Sequence, residues 1–254
     1  PGHADFAGTV KYNHSDIRHV LERASARETA MRTALGSICL LILSDLEINL
    51  FGYVVSIGSK SCGDLDFTDL EKLRNTQESS STMCPNKESD IEFENEIKIA
   101  RKKKDTLGGS ISVVAKGLPV GLGSYVHYDR KIDGRIASAF MSVQSVKAVS
   151  IGNGLDAHKS FGTEFHDEII LKNKELIRST NNSGGIEGGM TTGEDLIATA
   201  YLKPISTTLT PLQSVNLNTK EQVETVYERS DTCSVPRAVP IFESILAIEI
   251  LKCL

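Results

Sequence analysis

Leu21-Glu22-Arg23-Ala24-Ser25-Ala26-Arg27-Glu28-Thr29 lies inside a helical stretch, Ser15 to Ile42, and its reading decides how the chain is folded. Apolar residues recur at helical spacing on both sides of it. Ile17, Val20, Leu21 and Ala24 form one stripe; Leu35, Ile38 and Ile42 form a second. Between them Ser25-Ala26-Arg27-Glu28 has the form of a capping box, with Ser25 as N-cap and Glu28 at the third helical position. One helix ends near Arg23 and a longer one starts at Ala26. A fresh helix N-terminus exposes unpaired N–H groups and partial positive charge. Arg23 and Arg27 flank it, a pairing suited to phosphate or carboxylate. The same pattern also fits an ordinary kink with two solvated arginines.

Strand signals follow this helical pair. Gly52–Ile57 is a candidate, and Ser110–Ala115 alternates, with Ile111 and Val113 on one side and Val114 on the other. Val143–Ile151, Leu196–Lys203 and Gln222–Tyr227 are further candidates. Residues 58–90 are rich in Ser, Gly, Asp and Asn, with a short helical patch around Phe67–Leu73; Asn75–Asp90 reads as a mobile surface excursion. Glu92–Lys104 is helical, stopped by Gly108-Gly109, and Ile241–Cys253 closes the chain as an amphipathic helix. Long helices among separated strands, with no internal repeat, predict one α+β domain over residues 1–254, sheets packed on helices.

Composition narrows function. A chain of 254 residues builds a core without disulfides or metal. Its 28 Lys+Arg against 33 Asp+Glu give a net charge of −5, which disfavours whole-molecule attraction to nucleic acid or an anionic membrane. With 8 Phe, 6 Tyr and no Trp, stacking platforms for single strands are scarce. The longest mostly apolar run, Ala34 to Leu43, is too short to span a bilayer. Cysteines at 39, 62, 84, 233 and 253 are odd in number and widely spaced, so no zinc or CxxC site is expected; idle thiols in a reducing cytoplasm fit.

Three further motifs carry chemistry. Asn181–Gly193 contains five glycines in the ten residues from Gly184, which suits close backbone approach to an anion or planar cofactor as well as a plain flexible hairpin. It matches neither GxxxxGK[ST] nor GxGxxG. Glu228-Arg229-Ser230-Asp231 sets an arginine beside an acid after a strand, an anion site with a base or a weak surface ion pair. Pro1-Gly2-His3-Ala4-Asp5 puts a histidine near a carboxylate, as a general acid requires, although a lone terminal histidine is more often idle. Arg101–Lys104 reads as a solvated helix end. HExxH and GxSxG are absent.

In combination these segments resemble the chorismate synthase family. The resemblance rests on Pro1–Asp5, Leu21–Thr29, Asp105-Thr106-Leu107-Gly108-Gly109, Gly121-Leu122-Gly123, Asn181–Gly193, Leu202-Lys203-Pro204-Ile205, and Glu228–Asp231 with Cys233 and Pro236, in the family's order. It implies a β-α-β sandwich, helices between antiparallel sheets, assembled as a homotetramer. It also implies an anti-1,4-elimination of phosphate from 5-enolpyruvylshikimate 3-phosphate to chorismate, in aromatic amino-acid biosynthesis. Reduced FMN is required, with NADPH as the reductant in some members. An anionic substrate in an acidic protein calls for a local arginine cluster, and the flavin for glycine-rich backbone contact.

By the same resemblance, His3 corresponds to the histidine that protonates or hydrogen-bonds reduced flavin near N1, and Asp231 to the aspartate that helps flavin N5 act as base. Arg23, Ala24 and Ser25 correspond to a flavin-contacting turn, and Arg27 to a substrate-anion arginine. Gln144 and Ser145 stand for a flavin-contacting pair, Gly188 for a flavin-contacting glycine. Lys203, Pro204, Ile205, Ser206 and Thr207 correspond to a loop wrapping the flavin, and Arg229 lies against the same cofactor. Departures from the family pattern are Ala24 for Ser, Gln144-Ser145 for Asn-Ala, and Arg237 for a small residue. The family's Gly-x-Ser-His-Gly segment, with its second catalytic histidine, has no counterpart here, so the expectation is an N-terminally shortened chain. The alternative is a degenerate relative that binds flavin or oligomerises without catalysis; a third reading is an acidic partner-binding domain.

Overall fold

The computed structural model describes residues 1–226 and 228–254. The chain opens with α1 (Asp5–Tyr12) and α2 (Arg18–Ala24), a 3-10 turn at Ala26–Glu28, then α3 (Thr29–Asp45). β1 (Asn49–Ile57) and β2 (Lys60–Ser61) precede α4 (Leu70–Glu78), α5 (Lys87–Lys102) and β3 (Gly109–Lys116). α6 (Ile132–Met141) leads to β4 (Val146–Ile151), the short helices α7 (Gly154–Ala157) and α8 (Gly162–Phe165), and the ribbon β5 (Ile169–Lys172) and β6 (Glu175–Arg178). A tight hairpin, β7 (Ile186–Glu187) and β8 (Met190–Thr191), runs into β9 (Leu196–Leu202). The ribbon β10 (Gln213–Val215) and β11 (Gln222–Glu224) precedes α9 (Val235–Leu251). Residue 227, the end of the expected 222–227 strand, lies outside the described residues.

The fold is α+β. Five antiparallel strands form the main sheet in the order β2-β1-β3-β9-β4, and the other three sheets among the described residues are two-stranded. The alternation read in β3 holds: Ile111, Val113 and Ala115 are fully buried on the face that meets α9, aligned with Leu50, Val54, Ala198 and Ala200 of the neighbouring strands. α9 is the centre of the core. Ten of its residues are buried, including Phe242, Leu246 and Ile250, so it is enclosed rather than amphipathic. It begins at Val235, earlier than expected, because Pro236 suits a first helical turn; Pro240 lies inside it.

Two corrections concern the helical pair α2 and α3. Its buried face is Thr29, Gly36, Cys39 and Leu43, whereas Leu35, Ile38 and Ile42 are exposed. The physical cause is contact between small residues: a Cβ on Gly36 would stand 2.2 Å from the Ser244 Cβ of α9. The helices approach closely at Gly36 and Ser244, small residues that an apolar stripe does not mark. In the first stripe only Val20 is buried.

The segment expected as a surface excursion covers the free edge of β1. Arg74 donates to the Leu50 carbonyl, Gln77 to the Gly52 carbonyl at 2.7 Å, and the Val54 N–H to the Met83 carbonyl at 3.1 Å. Shielding an edge in this way removes a pairing hazard. α5 starts earlier than expected because Asn86 caps it, accepting the Ser89 N–H at 3.0 Å.

Candidate functional site

The Ser25 turn builds one wall of a cavity. Ser25 has extended dihedrals (φ −62°, ψ 140°), and its Oγ accepts the Arg27 N–H at 3.3 Å. It is the N-cap, as read. The capping box is not closed, however: the first turn is 3-10, and Glu28 does not reach back to Ser25. Its carboxylate accepts instead from Arg32 Nε at 2.8 Å and Gln144 Nε2 at 3.0 Å. Arg32 also donates to Ser142 Oγ at 2.6 Å. This network joins the helix start to the loop entering β4, 116 residues away along the chain.

The opposite wall is the loop after β9. The Lys203 N–H donates to the Ser145 carbonyl at 2.9 Å, with Ser145 at φ 74°. Lys203 Nζ donates to the Gly2 carbonyl and to Ser206 Oγ, the latter at 3.1 Å. Thr106 Oγ1 holds the same loop through the Ile205 carbonyl at 2.6 Å. Gly108 lets it close, since a Cβ there would stand 2.3 Å from the Leu202 oxygen. His3 lies on the rim, its Nε2 3.4 Å from Thr207 Oγ1.

The enclosed space is about 460 Å³, within the range of ligand pockets. Of the residues singled out from the sequence, it brings together His3, Ala24, Ser25, Arg27, Gln144, Ser145, Lys203, Ile205 and Ser206. Thr207 lines an adjoining hollow that shares His3, and Pro204 is exposed between its lining neighbours. Arg23 points to a separate shallow surface with Asp16 and His19. Arg27 pairs with Glu22 at 2.9 Å, and both are largely exposed. Arg229 is exposed. Asp231 pairs with Arg237, the departure noted above, at 2.9 Å.

Gly188 is not brought to this cavity. It turns the β7–β8 hairpin, which sits at the start of β9 and against the first residue of α6, where the Ile132 N–H meets the Gly189 carbonyl. Lys203 follows the far end of β9, roughly 20 Å away for a seven-residue strand.

One observation tests the cavity for a ligand. Gln144 Oε1 is buried without a hydrogen-bond partner, although its Nε2 is satisfied by Glu28. A buried acceptor left open beside a cavity calls for a donor from the occupant. A flavin ring carries such N–H donors, and a phosphate suits Lys203 and the N–H groups of the Ser25 turn, so the residues present fit reduced FMN. Arg32 escaped the sequence reading, as did the partners of Glu28 and Thr106, because each contact is made with a residue far along the chain. Among the described residues no cluster of three metal-ligating side chains occurs, and no helix is long and apolar enough to cross a membrane.

A model of the family described as chorismate synthase matches residues 1–254. Chorismate synthase 2 of Bacillus cereus is 44% identical over 255 residues, covering 100% of this chain and 65% of its own length. Chorismate synthase of a Geobacillus species is 44% identical over 251 residues, covering 98% and 65% respectively. A solved structure titled "Crystal Structure of Chorismate Synthase" superposes with a TM-score of 0.82 at 39% identity, over 98% of this chain and 69% of that one. The chain spans 65% of the length of these curated relatives.

Proposed function

The chain belongs to the chorismate synthase family, and from that premise we propose that it serves the elimination of phosphate from 5-enolpyruvylshikimate 3-phosphate to give chorismate, a lyase step of aromatic amino-acid biosynthesis in the cytoplasm. The observation that carries this reading is the single cavity lined by Ser25, Gln144, Ser145 and Lys203, segments far apart in sequence and each part of the resemblance.

In this reading the cavity holds reduced FMN, which when bound supplies a transient electron and a basic ring nitrogen. Lys203 and the free N–H groups of the Ser25 turn neutralise its phosphate. Gln144 Oε1 accepts a ring N–H, and the Glu28–Arg32 pair keeps the Gln144 amide turned that way. Arg27, on the exposed side, leaves Glu22 for an anionic group of the substrate. His3, beside Thr207, donates a proton or hydrogen bond at the rim. Asp231 exchanges Arg237 for the group that receives the C6 proton. Pro204 and Arg229 border this machinery, whereas Arg23 faces its separate surface within one chain. The contact carried over to Gly188 requires a second copy of the chain, because the hairpin is a strand length from its own cavity. That requirement agrees with the proposed homotetramer. NADPH is the proposed reductant of the flavin.

Anaerobic incubation of the 254-residue chain with dithionite-reduced FMN and 5-enolpyruvylshikimate 3-phosphate tests the proposal. Saturable FMN binding together with chorismate formation supports it. Binding without turnover leaves the flavin site and removes the lyase assignment for this chain. Absence of binding removes both.

A further inference from the structure

Five thiols looked idle in the sequence, but two of them meet. Cys62 follows β2, and its N–H donates to the Val55 carbonyl at 2.7 Å. Cys84 sits in the turn before α5 and is fully buried. Its Sγ donates to Cys62 Sγ at 3.6 Å and lies 3.4 Å from the Asn86 carbonyl. Both sulfurs are held by structure that does not depend on their contact. Cys62 is fixed by the β1–β2 turn. Cys84 is fixed by a knot in which Ser80 and Thr82 hydroxyls donate to Asp90 at 2.6 and 2.5 Å and the Cys84 N–H donates to Ser80 Oγ at 3.0 Å.

The two thiols are not equivalent. Cys62 is half-buried, open to a small reagent, while Cys84 is fully buried. The hydrogen bond from Cys84 holds the Cys62 thiol below its usual range; burial opposes this and Ser89 assists. The same contact, together with burial, pushes Cys84 up. The start of α5, a 16-residue helix, adds partial positive charge near the pair. Among the described residues, Cys39, Cys233 and Cys253 have no such sulfur neighbour.

We infer that Cys62 and Cys84 are a thiol-modification site, which a small soluble disulfide such as oxidised glutathione converts into an internal disulfide. The Cys62 thiolate attacks one sulfur of glutathione disulfide, forming a mixed disulfide and releasing one glutathione thiolate. Cys84 gives its proton to that thiolate and attacks the Cys62 sulfur, breaking the mixed disulfide and releasing the second glutathione. Two protein thiols are oxidised and one glutathione disulfide is reduced. The link closes the 62–84 segment, fastening α4, Gln77 and Met83 over the edge of β1.

The full chain is incubated with oxidised glutathione, quenched by alkylation, and read by intact mass and peptide mapping. The expected result is a loss of about 2 Da, a Cys62–Cys84 linked peptide, and alkylated Cys39, Cys233 and Cys253. Cys84→Ser is expected to retain glutathione on Cys62 at least ~10-fold more than the parent, and Cys62→Ser to leave Cys84 unreacted. Should the buried Cys84→Ser variant not fold, iodoacetamide kinetics on the parent decide, with Cys62 expected to react at least ~10-fold faster than Cys253. Glutathione accumulating on the parent's Cys62 without a link, or Cys62 reacting no faster than Cys253, overturns the inference.

Discussion

The two ends of β9 carry the two motif-rich regions of the molecule, and they differ in where they leave a polar group open. At its start, the Asn181–Gly193 segment meets most of its own polar groups, with Ser183 Oγ left buried and unpaired. Asp167 accepts from Thr180 Oγ1 at 2.6 Å, the Asn182 N–H at 2.7 Å and the Ser183 N–H at 2.9 Å. Asn181 Nδ2 donates to the Asp195 carbonyl and its Oδ1 accepts the Gly185 N–H, both at 2.8 Å. At the far end, the turn at Ser25 and the loop at Lys203 leave Gln144 Oε1 open and two cations facing a cavity or solvent. A glycine-rich motif signals backbone proximity, and here most of that proximity is to the protein's own backbone. The end with the plainer capping turn is the one that leaves an open acceptor beside a cavity.

The strongest way to break this contrast is Gly184→Ala. Gly184 has φ +63°, and a Cβ would stand 2.3 Å from the Gly152 N. Neither backbone has room to move, so the expected loss is about 3 kcal/mol in urea unfolding. An unchanged midpoint would show that the segment is not over-determined.

Next in size is Asp167→Asn, expected to cost about 2 kcal/mol by leaving donors poorly matched. Burial pushes the Asp167 carboxyl up, but hydrogen bonds from Thr180, Ser183 and Asn182 outweigh it and hold it at about 2, below the ordinary 3.8. Its folded value is depressed, so its contribution is full above about pH 4 and disappears as pH falls through about 2. The gap between parent and variant midpoints therefore narrows below about pH 4. A gap constant from pH 6 to 2 contradicts the assignment.

At the cavity end the effect moves from stability to binding. Gln144→Leu removes the open acceptor while Arg32 still satisfies Glu28. Reduced-FMN affinity should fall about tenfold, about 1.4 kcal/mol, with the urea midpoint held. Titration of anaerobic flavin absorbance reads it; equal affinity would take Gln144 out of the site.

What could be read from the sequence follows the same division. β3 was legible through the period-2 alternation of its apolar residues, although Ser110, Ser112 and Val114 on its other face are buried as well. The buried face of α3 was not, because Gly36 packs closely against Ser244 and periodicity counts only large side chains. Ser25 was legible as a cap, but the partner of Glu28 was not, since Gln144 is 116 residues away. The cavity was reached through resemblance, residue by residue, and no spacing rule joins residues 25, 144 and 203. Cys62 and Cys84 were missed for the same reason: their 22-residue separation has no motif, and the fold alone makes them neighbours.

Gly188 is where the two ends of β9 make competing claims. It has φ +60° and nothing within 4 Å of a built Cβ, so Gly188→Ala costs only the left-handed backbone, about 1 kcal/mol. Within one chain that methyl is a strand length from the flavin site and has no effect there. If a second copy supplies the hairpin, the methyl enters the partner's cavity, and affinity falls only at protein concentrations where chains assemble. Flavin titration of parent and variant across a dilution series, alongside their sedimentation, separates the cases. A deficit that follows assembly joins the two ends of β9 into one site between subunits. Equal affinity at every concentration leaves Gly188 a turn residue, and the contact carried over to it fails for this chain.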